Sequence, residues 1–314
     1  MDTLLVTHLD CLDHDPGEGH PEQPQRLTAV LKALRNMPGL VKYPAPQATM
    51  RQITRVHKRS YWESILKSEP DSGLSQVDPD TFMSMGSVNA ALRGAGAVCL
   101  AVEQVMEGKF VNAFCAVRPP GHHAEEDKAM GFCLLNNIAI GAAHAKANFD
   151  ISRIAIVDFD VHHGNGTQEM FKADRSVMYF SVHQRSLFPG TGDSDETGDG
   201  NIFNLLLRPN IGSEQFRHRV MTELLPVLRN MRFDLMMVSA GFDAHKDDPL
   251  AQLNLETEDF AWITEQLCKV AQNSCKGRLV STMEGGYNID ALAASARVHV
   301  EELIVGARQM GFRL

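Results

Sequence analysis

The sequence predicts an α/β protein in which a mainly parallel β-sheet is covered by helices on both faces. Short apolar runs alternate along the chain with longer helical patterns, and this alternation is typical of a parallel sheet. The short runs are apolar without interruption, as expected for strands that are buried on both faces. A chain of 314 residues can form one large domain. Because it has no repeat, low-complexity tract or linker, we expect residues 1–314 to form a single domain.

The continuous apolar runs predict the strands, which are Leu4–His8, Ala113–Val117, Ile154–Phe159, Val177–Ser181, Leu235–Ser239 and Leu279–Met283. Apolar residues at helical spacing predict the helices, which are Gln25–Asn36, Ser87–Glu107, Leu134–Lys146, Ser213–Asn230, Thr257–Ser274 and Ile289–Ala307. Ser213 and Thr257, each followed by glutamate, indicate helix starts. Residues 184–201 are rich in Gly, Asp and Ser and predict a long loop. Loops of that length within a compact domain are often functional.

Composition excludes several classes of function. The net charge is −9 and no basic stripe is present, so binding to nucleic acid through the phosphates is not expected. An acidic surface would instead tolerate or attract cationic substrates. The first residues lack the features of a signal peptide, and no apolar run is long enough to span a membrane. The six cysteines are scattered without a CxxC motif, so we expect a reducing, cytoplasmic location.

Polar, glycine-containing segments follow or end five of the predicted strands, at residues 118–133, 158–167, 181–184, 239–250 and 283–287. In parallel α/β sheets, ligands bind outside the carboxyl ends of the strands. Any one of these segments could be an ordinary strand-to-helix turn. The set of five predicts a functional site at this edge of the sheet.

The segment from Ile156 to Thr167, IVDFDVHHGNGT, is the most informative. Its residues Asp158, Asp160 and His162 alternate with apolar residues, and alternate side chains of an extended chain point to the same side. Carboxylate and imidazole ligands suit zinc, and an incomplete set of protein ligands leaves room for water and a substrate carbonyl. Asp243 is the best candidate for a third ligand, although Asp247 and Asp248 are nearby rivals and a turn aspartate is the alternative interpretation.

Two further groups predict acid–base and oxyanion chemistry. His122 and His123 follow Arg-Pro-Pro-Gly, and a histidine near a metal-bound water can take its proton. Such a histidine needs an acceptor that orients it, for which Asp158 and Asn165 are candidates. Tyr287 follows two glycines at a strand end, where its hydroxyl could stabilise an oxyanion. The alternative for Tyr287 is a tyrosine that packs under a loop.

The motifs resemble the histone deacetylase family, which includes acetylpolyamine amidohydrolases and bacterial deacetylase-like amidohydrolases. The segments DHDPGEGHPEQPQRL, RPPGHHAEEDKAMGFCLLNN, DFDVHHGNGTQ, FPGTGD, SAGFDAHKDDPL and MEGGYN occur in the order found in that family. RPPGHH, and Asn165 where class I members have aspartate, are similar to class II and bacterial members. The resemblance implies an arginase/deacetylase-like three-layer α/β fold with an eight-stranded parallel sheet. It also implies zinc-dependent hydrolysis of an acetyl or other short acyl amide on the ε-amino group of lysine or a similar amine.

The resemblance further implies roles for single residues. One Zn²⁺ per chain would be held by Asp160, His162 and Asp243. His123 would be the general base and acid, with His122 beside it as an electrostatic partner held by Asp158. Asn165 would be the partner of His123, and Tyr287 would polarise the amide carbonyl together with zinc.

A substrate channel and cation sites are implied in the same way. The channel residues would be Gly131, whose carbonyl accepts the substrate amide N–H, with Phe132, Phe188 and Leu250. Asp78 would be the rim aspartate that binds the substrate backbone, and Asp80 is its rival. A K⁺ with a structural or regulatory role would be bound by Asp158, the backbone carbonyls of Asp160 and His162, and Ser181. A second, looser monovalent site would lie near Phe171, Asp174 and Val177.

Three alternatives compete with acyl-lysine hydrolysis. The first is hydrolysis of acetylated polyamines or other small amides; Leu250 argues against it, because relatives that prefer polyamines can carry glutamate there. The second is an inactive acyl-lysine binder, which predicts the loss of a ligand, a histidine or the tyrosine, and none is lost. The third is an arginase-type two-metal hydrolase, which needs extra bridging carboxylates that DVHHGNG does not offer. The ligand set suits both Zn²⁺ and Fe²⁺, and the sequence leaves the oligomeric state and the physiological substrate open.

Overall fold

A computed structural model of the protein describes residues 1–311, and its main feature is a parallel sheet of eight strands in the order β2-β1-β5-β10-β9-β6-β7-β8. These strands are β1 Thr3–Thr7, β2 Leu40–Pro44, β5 Asn112–Cys115, β6 Ile154–Asp158, β7 Val177–Gln184, β8 Ile202–Leu207, β9 Leu235–Ala240 and β10 Leu279–Met283. A separate antiparallel hairpin is formed by β3 Ser75–Asp78 and β4 Thr81–Met83. The predicted eight-stranded parallel sheet is confirmed.

Helices surround the sheet. They are α1 Gln25–Ala33, α2 Met50–Ile53, α3 Arg59–Ser68, α4 Ser87–Met106, α5 Asn137–Asn148, α6 Asn165–Phe171, α7 Ser213–Arg219, α8 Leu225–Asn230, α9 Thr257–Cys275 and α10 Ile289–Gly311. Helices α1, α9 and α10 pack together, and α4 packs against α5. Strands β1, β5, β6, β7, β9 and β10 are buried at every position, because helices cover both of their faces.

The structure corrects the predicted elements at several places. The sequence did not predict the edge strands β2 and β8, in which Lys42 and Asn204 respectively interrupt the apolar run. The helix predicted from Ser213 to Asn230 is interrupted by a π-helical turn over Val220–Leu224. The helix predicted from Leu134 begins instead at Asn137, because the Asn136 side chain accepts the Ala139 N–H at 3.0 Å and caps it.

Strand register brings the polar segments together. Asp158 lies beside Ser181 of β7 and Ser239 of β9, and Met283 of β10 lies beside Ala240 of β9. The carboxyl ends of β6, β7, β9 and β10 therefore meet at one edge of the sheet, with the turn that follows β5 next to them. The six cysteines are free and buried. No helix within residues 1–311 is long and apolar enough to cross a membrane.

A buried ion network anchors the N-terminal segment beneath this edge. Glu22, Arg26 and Arg118 have side chains that are 0% exposed. Arg118 donates to both oxygens of the Glu22 carboxylate at 2.6 Å, and Arg26 donates to Glu22 Oε1 at 2.9 Å. Arg118 also donates to the Cys11 carbonyl at 2.7 Å. One carboxylate thus neutralises part of the charge of two guanidinium groups.

Arg26 connects this network to the end of β10. Its guanidinium donates to the carbonyl of Gly286 at 2.6 Å and to that of Glu284 at 2.5 Å. Its carbon Cζ also lies 4.8 Å from the centre of the Tyr287 ring, within the range of a cation–π interaction. The network therefore holds the backbone that carries Tyr287.

We predict that Glu22→Gln lowers the free energy of unfolding at pH 7 by about 3 to 5 kcal/mol, because it leaves two buried guanidinium groups without a counter-charge. Burial acts to raise the pKa of Glu22, but Arg118, His14 and Arg26 outweigh it and hold this pKa well below its usual range. The charge of Glu22 therefore stabilises the fold fully above the usual glutamate pKa of 4.5, and this contribution is lost as the pH falls toward the lower folded value.

The measurement is urea unfolding of both proteins between pH 7 and pH 4, in which the difference should shrink below about pH 4.5. Glu63→Gln is the control, because Glu63 is exposed and makes only a long ion pair, 3.8 Å from Arg59. Equal stability of Glu22→Gln and the parent protein at pH 7 would contradict the prediction.

Candidate active site

Asp160, His162 and Asp243 converge at the carboxyl ends of β6 and β9. His162 Nδ1 lies 3.1 Å from Asp160 Oδ1 and 3.1 Å from Asp243 Oδ2, and all three residues are buried. Tetrahedral zinc with ligands at about 2.0 to 2.2 Å separates its ligand atoms by roughly 3.3 Å. The spacing of the three side chains therefore suits a tetrahedral metal ion. Within residues 1–311, no other cluster of three such side chains has metal-binding spacing.

Backbone groups from distant segments hold the two carboxylates. The Gly285 N–H donates to Asp160 Oδ2 at 2.7 Å, and the Val161 N–H donates to Asp243 Oδ1 at 2.9 Å. A Cβ atom at Gly285 would lie 2.0 Å from Asp243 Oδ2, and one at Gly241 would lie 2.1 Å from Asp160 Oδ2. Glycine is required at both positions, because the backbone approaches the carboxylates too closely for a side chain.

Positive charge would stabilise the buried carboxylates of this cluster. Burial raises the pKa of Asp243 to about 7, with a further contribution from Asp160. Burial acts to lower the pKa of His162, but the two carboxylates outweigh it and raise this pKa to about 10. A divalent cation held by the same atoms would supply that positive charge.

His122 and His123 lie side by side with different partners. Their ring centres are 4.0 Å apart. His122 Nδ1 lies 3.0 Å from Asp158 Oδ2, and His123 Nδ1 lies 2.8 Å from Asn165 Oδ1. One histidine is therefore paired with a carboxylate and the other with a neutral amide, so their protonation should differ.

The pKa values of the two histidines move in opposite directions. Burial acts to lower the pKa of His122, but Asp158 and Asp160 outweigh it and raise this pKa to about 10. Burial, followed by the positive charges of His122 and His162, holds the pKa of His123 well below its usual range. His122 is therefore the charged member of the pair, and His123 is neutral and able to accept a proton.

Two supporting residues of this histidine pair were missed from the sequence. Tyr179 donates its hydroxyl proton to Asp158 Oδ2 at 2.9 Å. Glu284 Oε2 accepts the N–H groups of Gly121 at 2.7 Å and His122 at 3.2 Å. A signal for Glu284 was available, because it is a charged residue that directly follows an apolar strand. Tyr179 gave no such signal, because it lies inside a strand and looks like a core aromatic residue.

Asp248, which the sequence offers as an alternative metal ligand, binds backbone N–H groups instead. Its Oδ2 accepts the Tyr287 N–H at 2.7 Å, and its Oδ1 accepts the Leu250 N–H at 3.0 Å. It therefore positions the backbone of both residues. Burial above all holds the pKa of Tyr287 well above its usual range, so its hydroxyl keeps its proton and can donate a hydrogen bond.

A narrow cavity of about 210 Å³ leads to this cluster. It is lined by Asp80, His123, Gly131, Phe132, His162, Leu187, Phe188, Leu250 and Tyr287. Four of the five predicted channel residues are among them, namely Gly131, Phe132, Phe188 and Leu250. Leu187 was not predicted, because no motif in the sequence distinguishes it. Asp78 is not among the lining residues, whereas its rival Asp80 is.

The hairpin of β3 and β4 shapes one wall of the cavity. Asp80 Oδ1 accepts the Gly131 N–H and the Thr81 Oγ1 accepts the Phe132 N–H, both at 3.0 Å. These bonds hold Gly131 and Phe132 at φ values of 57° and 66°, in a left-handed conformation that is rare for phenylalanine. The Asp80 carboxylate is thus used internally, while the Asp78 carboxylate lies 3.9 Å from Lys128 Nζ near the protein surface.

The structure also locates the residues of the two predicted monovalent sites. Near Asp158, Asp160 and His162 are buried residues whose backbone carbonyls accept no hydrogen bond from residues 1–311, and the Ser181 hydroxyl lies 2.9 Å from His183 Nδ1. At the other site, the carbonyls of Phe171, Asp174 and Val177 all accept hydrogen bonds from Asn201.

Comparison with known proteins agrees with this geometry. A family model described as the histone deacetylase domain matches residues 20–303. A probable deacetylase of Methanothermobacter thermautotrophicus is 39% identical, over 93% of this chain and 88% of that protein. The histone deacetylase-like amidohydrolase of Pseudomonas aeruginosa is 35% identical, over 91% of this chain and 77% of that protein.

A longer relative and a solved structure extend the comparison. Type-2 histone deacetylase 2 of Dictyostelium discoideum is 36% identical over 96% of this chain, which spans only 21% of that protein. The crystal structure of the HDA15 HD domain superimposes with a TM-score of 0.91 at 31% identity, over 99% of this chain and 93% of that one. The chain therefore belongs to the histone deacetylase family.

Proposed function

We propose that the protein is a zinc-dependent amidohydrolase that removes an acetyl or other short acyl group from the ε-amino group of lysine or a similar amine. The observation that carries this proposal is the Asp160, His162 and Asp243 cluster, whose His162 lines a cavity together with His123 and Tyr287. Family membership as a deacetylase or amidohydrolase supports the reaction class.

The residues fit one divalent metal ion. Two carboxylate oxygens and one imidazole nitrogen, spaced for tetrahedral geometry, leave a coordination position for the reaction. When bound, the ion would activate water and polarise the substrate carbonyl. The donor set accommodates Fe²⁺ as well as Zn²⁺, and zinc is proposed because the ligands and spacing are typical of hydrolytic zinc.

In this proposal His123 transfers the proton. It is neutral and lines the cavity, so it can accept a proton from the attacking water and then donate it to the leaving amine. Asn165 fixes its ring through Nδ1, which leaves Nε2 for the reaction. His122 holds its own proton through Asp158 and keeps a positive charge beside the reacting groups.

Tyr287 and Gly131 would position the amide. The Tyr287 hydroxyl would donate a hydrogen bond to the carbonyl oxygen as negative charge develops there. The Gly131 carbonyl, which accepts only a weak bond from the Cys133 thiol at 3.2 Å in the part of the chain described, would accept the amide N–H. The apolar side chains of Phe132, Phe188 and Leu250 would surround the methylene stem.

A K⁺ site is proposed next to the metal site. Asp158 and Ser181 offer side-chain oxygens, and Asp160 and His162 offer buried carbonyls that lack donors within residues 1–311. Hard oxygen donors of this kind suit K⁺. The ion would stabilise the turn that carries two of the zinc ligands.

A small acetylated amine is the second candidate substrate. The observation that favours it is the acidic rim, where Asp80 lines the cavity and Asp78 lies in the same hairpin. Leu250 favours acyl-lysine, because it presents an apolar side chain to the cavity instead of a carboxylate. In the acyl-lysine case, Asp78 is the better rim residue, because the Asp80 carboxylate is already bonded to Gly131.

The first of three predictions for the site concerns the metal. Purified protein should contain one transition-metal ion per chain, and Asp243→Ala should lose most of it because one of three ligands is removed. Elemental analysis checks both values. Asp247→Ala is the matched control, because Asp247 is a neighbouring carboxylate that is 58% exposed. Two tightly bound ions per chain would support the arginase-type alternative, and full metal content in Asp243→Ala would refute the third ligand.

The second prediction concerns Tyr287. Tyr287→Phe should keep its metal and its thermal stability but lower kcat for an acetyl-lysine peptide by about 10² to 10³, because one oxyanion donor is lost. Tyr43→Phe, at an exposed position, should be fully active. Near-wild-type hydrolysis by Tyr287→Phe would show that Tyr287 is structural.

The third prediction concerns the substrate. Leu250→Glu should raise kcat/KM for acetylated polyamines relative to neutral acetyl-lysine peptides, because a carboxylate at the mouth attracts the distal ammonium group. An exposed pair of this kind contributes on the order of 1 kcal/mol, or about fivefold in the ratio, and less as salt increases. Leu250→Gln, which is polar but neutral, should not change the ratio. A flat ratio in Leu250→Glu would show that Leu250 does not control the channel.

A further inference from the structure

One nitrogen atom lies among three backbone carbonyl groups at the carboxyl end of α6. Asn201 Nδ2 is 2.7 Å from the Phe171 oxygen, 3.1 Å from the Asp174 oxygen and 2.8 Å from the Val177 oxygen. Asn201 is 1% exposed. These three residues are where the family resemblance implies a second monovalent cation.

The contact pattern resembles the coordination of a cation. An amide NH₂ group carries two hydrogens, so it cannot make three well-directed hydrogen bonds at the same time. Carbonyl oxygens that converge on one point are typical of K⁺ sites, where they replace the hydration shell of the ion. The partly positive NH₂ group of Asn201 stands where the charge of the ion would be, and the two cannot occupy the same volume.

The Asn201 side chain is held in this position from its other end. Its Oδ1 accepts the Asp199 N–H at 3.1 Å, and its backbone carbonyl accepts the Tyr179 N–H at 2.9 Å. A Cβ atom at Gly198 would lie 2.9 Å from Asn201 Oδ1 and 2.6 Å from the Lys172 carbonyl. The close packing of this turn leaves the amide no alternative position without the loss of several hydrogen bonds.

We propose that the side-chain amide of Asn201 replaces the second monovalent cation of the family, so that this chain binds at most one such ion. The amide joins two segments that reach the candidate active site. One is α6, which begins with Asn165, the partner of His123. The other is the loop over residues 185–201, which carries Leu187 and Phe188 of the cavity. Because the substitute is part of the chain, this junction does not depend on the concentration of K⁺.

The direct test is anomalous diffraction from crystals of the metal-loaded protein soaked in Tl⁺, a substitute for K⁺. The wild-type protein should show no Tl⁺ peak among the carbonyls of Phe171, Asp174 and Val177. Asn201→Ala should show one there, because the carbonyls remain and the amide is gone. A Tl⁺ peak at these carbonyls in the wild-type protein would overturn the proposal, even if the variant does not fold.

Thermal unfolding in solution provides a second measurement, in KCl and in choline chloride of equal ionic strength. Asn201→Ala should melt at a lower temperature than the wild-type protein in choline, and K⁺ should raise its Tm by more than it raises the wild-type Tm, because an ion that binds only the folded state stabilises it. Asn204→Ala is the matched control, since Asn204 lies in the neighbouring strand and its amide donates to Gln168 Oε1 at 2.9 Å. It should respond to K⁺ like the wild-type protein. Equal K⁺ responses in Asn201→Ala and the wild-type protein would overturn the proposal.

Discussion

The constraint on which the structure depends is the burial of several carboxylates at one edge of the sheet. Asp158, Asp160, Asp243 and Glu284 are each 0% exposed, and a buried carboxylate without partners costs several kcal/mol. Each one therefore accepts hydrogen bonds from N–H or O–H groups, or contacts a histidine. The same concentration of negative charge that is costly for folding makes the edge suitable for a metal ion.

Because these partners come from different strands, the site also acts as a set of cross-links. Asp160, after β6, is bound by the backbone after β10, and Asp243, after β9, is bound by the backbone after β6. Glu284, after β10, holds the turn after β5 that carries the histidine pair. Residues that are connected in this way should not contribute independently to stability or activity. The same hydrogen bonds therefore position the candidate metal ligands and connect the strands of the fold.

The sequence predicted those parts of the arrangement that follow from local residue patterns. The central strands could be predicted because they contain nearly continuous apolar runs, whereas β2 and β8 could not, because a polar residue interrupts each of them. The alternation of Asp158, Asp160 and His162 was enough to predict a metal site, and the order of the motifs predicted the family. The contacts of Glu22, Glu284 and Asp248 were beyond reach, because they depend on which distant backbone N–H or guanidinium group faces each carboxylate. Asn201 likewise looks like an ordinary loop residue in the sequence, because its contacts depend on how the turn after α6 folds around it.

The bidentate use of Asp248 has a consequence for how the entrance of the cavity can change. One oxygen holds the backbone of Leu250 and the other holds that of Tyr287, so two residues that line the cavity share one anchor. The side chain at position 250 can change without loss of this anchor, since the bond to Asp248 is made by the backbone N–H. Insertions or deletions between 248 and 250 would instead displace the residue at position 250 relative to Tyr287, because both are bonded to Asp248. This loop can therefore accept point substitutions but not changes in length. A loop transferred from a relative would have to keep the spacing between Asp248 and Leu250.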